Sequence, residues 1–146
     1  MNKFVIIIGS ILGIGILITG IYFAFFAPQP TSSGTFLVPS NSGKQIQVND
    51  FTKNLQAKTE ASDVIAETNQ YTISYFTADK SFLITLESQP LKDSRAAAEQ
   101  ALLSKLGITQ AQACQLKTSV KTTFDVDQVW AGNELGLSFC PNSIQF

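Results

Sequence analysis

The chain has 146 residues, of which 45% are apolar and 14% are charged, with 10 Lys and Arg against 11 Asp and Glu. This length is typical of one domain, and the near-neutral charge argues against a nucleic-acid-binding surface. The sequence has two cysteines and no histidine, the commonest general base and metal ligand. We therefore expect no metal site and no bound cofactor.

Residues 4–27 contain no charged side chain. A helix of this length is roughly 36 Å long, enough to cross a hydrocarbon core of about 30 Å. A cleaved signal peptide has a shorter apolar stretch, and here Pro28 follows the block directly. The sequence predicts an uncleaved transmembrane helix over residues 4–27 after a cytoplasmic tail of residues 1–3. Cleavage or lipid modification is the alternative.

Positive charges flank the predicted span unequally. Lys3 precedes it, and the next positive charge along the chain is Lys44, which favours an N-terminus on the inside. Cys114 and Cys140 agree with this orientation, because structural disulfides persist outside the reducing cytosol. We expect a single-pass protein of the plasma membrane, in contact with the lipid bilayer, whose C-terminal domain is extracytoplasmic.

Small residues of the predicted span lie on one side of a helix. At 100° per residue they fall within a stripe of about 60°, and such stripes let two membrane helices approach closely. The pattern predicts self-association through the membrane, although glycine is also common in membrane helices without this role. The stripe consists of Gly9, Gly13, Gly20, Ala24 and Ala27.

Residues 28–45 are rich in Pro, Ser and Gly and are predicted to be a tether. Pro28 and Pro30 end the preceding helix, because proline cannot donate to the helical hydrogen-bond ladder. The apolar residues 36–38 are an exception, which we interpret as a short strand docked on the domain. A linear contact for a partner is the alternative. The folded domain is expected over residues 46–146.

Alternation of apolar and polar residues predicts strands in the first half of this domain. Ile46 and Val48 belong to one half-buried strand, and residues 64–66 to a second, shorter one. Residues 72–75 and 82–87 also alternate, and turn-forming residues separate them. This pair predicts a β-hairpin.

A helix is predicted next, over residues 91–106. The segment follows Pro90 and is rich in Ala, Leu, Glu, Lys and Gln, which favour helix. Asp93 or Ser94 is expected to cap its start, and Gly107 suits the position just past its end.

The two sides of this helix are expected to differ. Ala98, Leu102 and Leu106 recur every four residues, which indicates a side that packs on the sheet. Arg95 and Glu99 lie one turn apart, a spacing typical of a weak ion pair on an exposed face.

Two further strands are predicted, over residues 116–124 and 135–139. Cys114 precedes the first and Cys140 ends the second, so antiparallel pairing would bring the two sulfurs together in a structural disulfide. The predicted fold class is thus α+β: an N-terminal transmembrane helix, then a small antiparallel sheet with one packed helix and one disulfide, arranged as a ββ-α-ββ core.

Reactive motifs are scarce. There is no G-x-S-x-G nucleophile motif, and a Ser-His-Asp triad cannot form without histidine. Asp125 and Asp127 resemble the start of a calcium loop, but Trp130 and Gly136 occupy the positions that require glycine and glutamate. The sequence therefore predicts a protein that is not an enzyme.

Trp130 is the only tryptophan and lies in the predicted connection of residues 124–134 with Asp125, Asp127 and Asn133. Tryptophan is enriched at binding hot spots, and loops often carry function. We predict that these four residues bind a partner. The alternative is that Trp130 packs over the end of the predicted hairpin.

Four strings of the chain resemble those of small membrane-anchored proteins of bacterial type: IQVNDF, YTISYF, AAAEQALLSKLGI and LGLSFCP. The resemblance implies an anchored domain and no particular chemistry. The expected function is a non-enzymatic interaction or assembly module of the cell envelope, with an envelope protein or a second copy as partner. A pilin-like filament or secretion-apparatus subunit and an envelope hydrolase are the alternatives.

Overall fold

The computed structural model describes residues 34–146, which form two sheets, one long helix and a shared apolar core. β1 and β2 pair as a two-stranded antiparallel sheet, and the other strands form a five-stranded sheet in the order β3-β4-β5-β6-β7. In chain order the elements are β1 (Thr35–Pro39), β2 (Gln45–Asn49), a 3-10 turn (Phe51–Lys53), β3 (Ala57–Lys58), β4 (Ser62–Glu67), β5 (Tyr71–Phe76), β6 (Ser81–Leu86), α1 (Leu91–Leu106), α2 (Gln110–Ala113) and β7 (Thr118–Thr122).

The hairpin β1-β2 covers one end of the larger sheet. Val38 of β1 and Val48 of β2 are buried, and the ring of Phe36 lies 6.2 Å from that of Tyr75 in β5. The strand predicted at Ile46 and Val48 is confirmed. Residues 36–38, inside the predicted tether, form the middle of a strand that packs on the core.

The predicted hairpin of β5 and β6 is confirmed. The two strands pair antiparallel, with Tyr75 opposite Phe82 and Ile73 opposite Ile84. All four side chains are buried, because alternate residues of both strands face the same side of the sheet. This hairpin supplies the centre of the core.

Helix α1 has the predicted bounds, Leu91–Leu106. Its end is as expected, since Gly107 adopts a left-handed conformation with φ of 64° and donates its N–H to the carbonyl of Leu103. The predicted cap at its start is wrong. Pro90 occupies the cap position without a side-chain hydrogen bond, and the buried Ser94 hydroxyl instead donates to the carbonyl of Ser88.

We expect Gly107→Ala to lower the free energy of unfolding by about 1–2 kcal/mol, which is the cost of placing alanine in the left-handed backbone conformation. The displacement of a neighbouring side chain adds to this loss. A Cβ at this position would lie 2.5 Å from the side-chain nitrogen of Asn49. Gly132→Ala is a matched control. Gly132 also has a positive φ, 76°, but a Cβ at this position would have no described atom within 4 Å. Urea unfolding followed by circular dichroism should give the larger loss for Gly107→Ala. Equal losses would contradict a contribution from Asn49.

The fold-class prediction is wrong in its topology. β7 pairs with β6 in parallel, with Phe82 opposite Thr118 and Leu86 opposite Thr122, whereas the predicted core is antiparallel throughout. Parallel neighbours need a crossover of a dozen or more residues, and α1 with α2 provides it. The described domain is therefore a mixed, sheet-rich α+β fold with one disulfide.

The second predicted C-terminal strand does not form. Gly136 has a φ of 68°, which interrupts the extended backbone that residues 135–139 would need. The segment still lies along β7, because the Leu135 N–H donates to the Val120 carbonyl at 2.8 Å and the Glu134 carboxylate accepts the Val120 N–H at 2.7 Å. Leu135 and Leu137 are buried in this irregular conformation.

The predicted transmembrane helix over residues 4–27, with its stripe of small residues from Gly9 to Ala27, lies outside the described residues. Among residues 34–146, no helix has both the length and the apolar character needed to cross a membrane.

Candidate functional site

Arg95 and Glu99 of helix α1 form a buried ion pair. The Nε of Arg95 lies 3.2 Å from a carboxylate oxygen of Glu99, and the two residues are 2% and 4% exposed. The expectation of a weak pair on an exposed face is wrong, because both residues lie on the side of the helix that packs inward. A charge pair away from water requires further hydrogen bonds to offset its desolvation.

The C-terminal segment provides those hydrogen bonds. Arg95 donates to the carbonyls of Gly136 at 2.6 Å, Leu135 at 3.0 Å and Ile144 at 2.6 Å. Glu99 accepts hydrogen bonds from the N–H and the hydroxyl of Ser138. Burial lowers the pKa of Arg95, and Glu99 opposes this change. The pair therefore binds an irregular segment to the helix in place of a sheet partner.

The predicted disulfide between Cys114 and Cys140 is confirmed. Cys114 lies at the end of α2 and before β7, as predicted, and its Cα is 5.5 Å from that of Cys140. The bond attaches the C-terminal segment to the crossover between β6 and β7. Together with Arg95 of α1, it holds residues 135–146 against both helices of the crossover.

Asp127 orders the connection of residues 124–134. One of its carboxylate oxygens accepts the N–H groups of Val129 at 2.9 Å and Trp130 at 3.1 Å, and the other accepts the side-chain N–H of Gln89 at 2.7 Å. These hydrogen bonds, led by the one from Trp130, hold the pKa of Asp127 below its usual value. Asp127 is thus an acceptor that shapes the turn bearing Trp130.

Trp130 and Phe146 form an aromatic pair beside this turn. Their ring centroids are 5.6 Å apart in an edge-to-face arrangement, and the Arg95 guanidinium carbon lies 5.5 Å from the Phe146 centroid. Trp130 therefore packs on Phe146 and not over the end of a hairpin.

A cavity of about 220 Å³ opens beside the pair. We call it the Trp130 cleft, and it is lined by Gln89, Pro90, Leu91, Lys92, Asp127, Trp130 and Phe146.

Phe146 also lines a second cavity, of about 200 Å³. Lys92 and Phe146 line both cavities, while Arg95, Ser138 and Gln145 belong only to the second. The Arg95 and Ser138 groups already bond within the protein. The polar groups of Gln89 and Asp127 in the Trp130 cleft also bond within the protein, and Lys92 lines both cavities.

Exposed apolar side chains lie in the same connection. Phe124 is 66% exposed and Val129 is 75% exposed. Asn133 donates its side-chain N–H to the Val129 carbonyl at 3.3 Å, and a hydrogen bond with Thr123 lowers the pKa of the exposed Asp125. The structure thus places all four predicted partner-binding residues on one ordered loop, with Asp127 and Trp130 in direct contact.

The Trp130 cleft is lined by both apolar and polar side chains. Ligand sites typically combine apolar walls with a few polar groups that orient the ligand, and the Trp130 cleft combines an aromatic pair with Lys92 and Asp127. Within residues 34–146, no group of three or more His, Cys, Asp or Glu residues is placed to hold a metal ion.

Sequence reasoning missed Arg95 and Glu99 as structural residues and did not find Phe146. The signal for Arg95 was present, because Arg95 follows Leu91 by four residues and precedes Ala98 by three. This spacing places it on the apolar stripe of α1. No comparable signal existed for Phe146, because Trp130 and Arg95, which its ring contacts, are distant in sequence.

Comparison with known proteins places the chain in no group: no known family, curated protein or solved structure matches it.

Proposed function

We propose that this chain is a membrane-anchored protein of the cell envelope whose domain lies on the extracytoplasmic side. It binds an envelope protein through the loop of residues 124–134 and the adjoining Trp130 cleft, and it catalyses no reaction. The uncharged segment of residues 4–27 supports the anchoring. The disulfide supports the compartment, because such bonds are rare in reducing cytosol.

The exposure of Phe124 and Val129 carries the binding proposal. Exposed apolar surface commonly marks an interaction site. Phe124 and Val129 are both exposed, five residues apart, on the ordered loop that bears Trp130. Hydrogen bonds to Asp127 hold the loop in shape, so little conformational entropy is lost when a partner binds. A partner with an apolar surface and few charges fits this face.

The test places a photo-crosslinking amino acid at position 124 or 129 of the full chain in intact membranes. We expect both positions to crosslink to the same envelope protein, because the two side chains belong to one loop. Position 37 is the matched control, since Leu37 is also apolar and 60% exposed but lies in β1.

A second measurement uses Phe124→Ser and Val129→Ser. Truncation of a central apolar contact typically costs about 1–2 kcal/mol of binding, a loss of roughly tenfold in affinity for the purified partner. Leu37→Ser should bind with unchanged affinity. Equal loss in all three variants, or crosslinking from position 37 alone, would contradict a binding site on the loop.

A further inference from the structure

Gln89 lies in the short connection between β6 and α1, and both ends of its side-chain amide are hydrogen-bonded. The amide nitrogen donates to a carboxylate oxygen of Asp127 at 2.7 Å and to the Val126 carbonyl at 3.3 Å. The amide oxygen accepts the N–H of Leu91, the first residue of α1, at 3.1 Å. Because the oxygen faces the helix, the nitrogen must face the loop, and the direction of the amide is fixed.

The hydrogen bonds of Gln89 join residues 124–133 to the rest of the domain. In the described part of the chain, every other hydrogen bond of these residues has both its donor and its acceptor within residues 122–133. Val126 and Trp130 also pack partly on the apolar core, but apolar contacts are non-directional. Gln89 therefore supplies the directional contact that sets how the loop lies on the domain.

The acceptor in this contact is a carboxylate that also shapes the turn. The other oxygen of Asp127 accepts the N–H groups of Val129 and Trp130, and the pKa of Asp127 is held below its usual value, so the group is charged at neutral pH. A hydrogen bond to an ionised acceptor is roughly twice as strong as a neutral one. Since Gln89 is exposed to water, we expect this contact to stabilise the position of the loop and not the fold as a whole.

We infer that Gln89 is a positioning residue of the proposed partner site, and that its hydrogen bond to Asp127 holds the loop of residues 124–134 against the start of α1. The inference rests on the proposed function only for its effect on binding. Phe124 and Val129 belong to the same loop, so a loop released from Gln89 presents them in many arrangements. A partner must then order the loop as it binds, which lowers the affinity.

The donor and the acceptor of this contact can be exchanged with little change in side-chain shape. Gln89→Glu places a carboxylate against the carboxylate of Asp127. Asp127→Asn places one amide nitrogen against another, because the asparagine oxygen is needed by the N–H groups of Val129 and Trp130. The double substitution restores a hydrogen bond of reversed direction. A role in packing alone predicts no such rescue, since all the side chains are nearly isosteric.

The test is hydrogen exchange of the full chain in detergent micelles, followed by NMR. The reporter amides are those of Ala131 and Asn133, which donate to the backbone carbonyls of Asp127 and Trp130 and keep these acceptors in every variant. We expect the protection of both amides to fall about tenfold with either single substitution, the effect of losing one hydrogen bond to a charged group. The double variant should recover to within about twofold of the parent chain.

Two references separate this role from general effects of charge and stability. Gln128→Glu adds the same charge beside Asp127 in the sequence, at an exposed side chain of the loop, and should leave the protection of the reporter amides unchanged. The Leu135 N–H, which donates to the Val120 carbonyl outside the loop, should keep its protection in all variants.

The effect on binding is measured with the photo-crosslinking amino acid at position 124 in intact membranes. The yield of crosslinked envelope protein should fall severalfold with Gln89→Glu and return in the double variant. Unchanged protection with Gln89→Glu, or a double variant in which the two losses simply add, would overturn the positioning role. If protection follows the expected pattern while crosslinking stays constant, Gln89 still holds the loop and the proposed function is overturned instead.

Discussion

Arg95→Met is expected to lower the free energy of unfolding by about 3–5 kcal/mol, because removing one partner leaves the other charge buried and uncompensated. Glu99, 4% exposed, would keep its hydrogen bonds to Ser138 but lose its cation. The carbonyls of Gly136 and Ile144 would lose a donor. The C-terminal segment should be destabilised most, because it has no strand partner that could replace the hydrogen bonds from Arg95.

Urea unfolding followed by the fluorescence of Trp130, the only tryptophan, measures this loss. Lys92→Met is the control on the same helix, because Lys92 is exposed, and it should change the unfolding free energy by less than about 0.5 kcal/mol. A double variant, Arg95→Met with Glu99→Leu, should recover part of the stability because no unpaired charge remains. A loss below about 1 kcal/mol for Arg95→Met alone would contradict the expected cost of leaving the Glu99 charge buried without its partner.

Removing the disulfide is expected to cost about 3.5 kcal/mol, from the loop-closure entropy that the bond removes from the unfolded chain. The bond joins residues separated by 26 positions. The paired substitution Cys114→Ala with Cys140→Ala changes little apolar volume, so the loss should come mainly from the unfolded state.

The measurement compares urea midpoints with and without reductant. The parent chain should lose stability when it is reduced, and the double alanine variant should be insensitive to reductant. If reduction lowered the stability of the variant as well, the effect would have to come from something other than the Cys114–Cys140 bond.

Local features of the sequence predicted several elements correctly. The composition of residues 91–106 and the position of Gly107 were sufficient for α1, because helix formation depends on neighbours within four residues. Strict alternation in residues 72–75 and 82–87 was sufficient for the hairpin of β5 and β6, because the connecting turn is short. The disulfide was predicted correctly, although the strand pairing that suggested it does not exist.

Apart from the helix cap at Asp93 or Ser94, the errors concern contacts between distant parts of the chain. Leu135 and Leu137 alternate as in a strand, but the positive φ of Gly136 and the hydrogen bonds to Arg95 give the segment another conformation. The direction of β7 depends on where the crossover helices bring it, which periodicity does not encode. The charge of Arg95 suggested a surface position, while its place on the apolar stripe indicated burial.

The sequence by itself determined the uncharged N-terminal segment, the low charge of the chain, the helix of residues 91–106 and the central hairpin. These follow from composition and from periodicity over a few residues. Only the tertiary structure decided which strands are neighbours, that Arg95 and Glu99 hold the C-terminal segment, and that Trp130 meets Phe146 beside a cleft. These features depend on contacts between residues far apart in the chain, and local patterns do not specify such contacts.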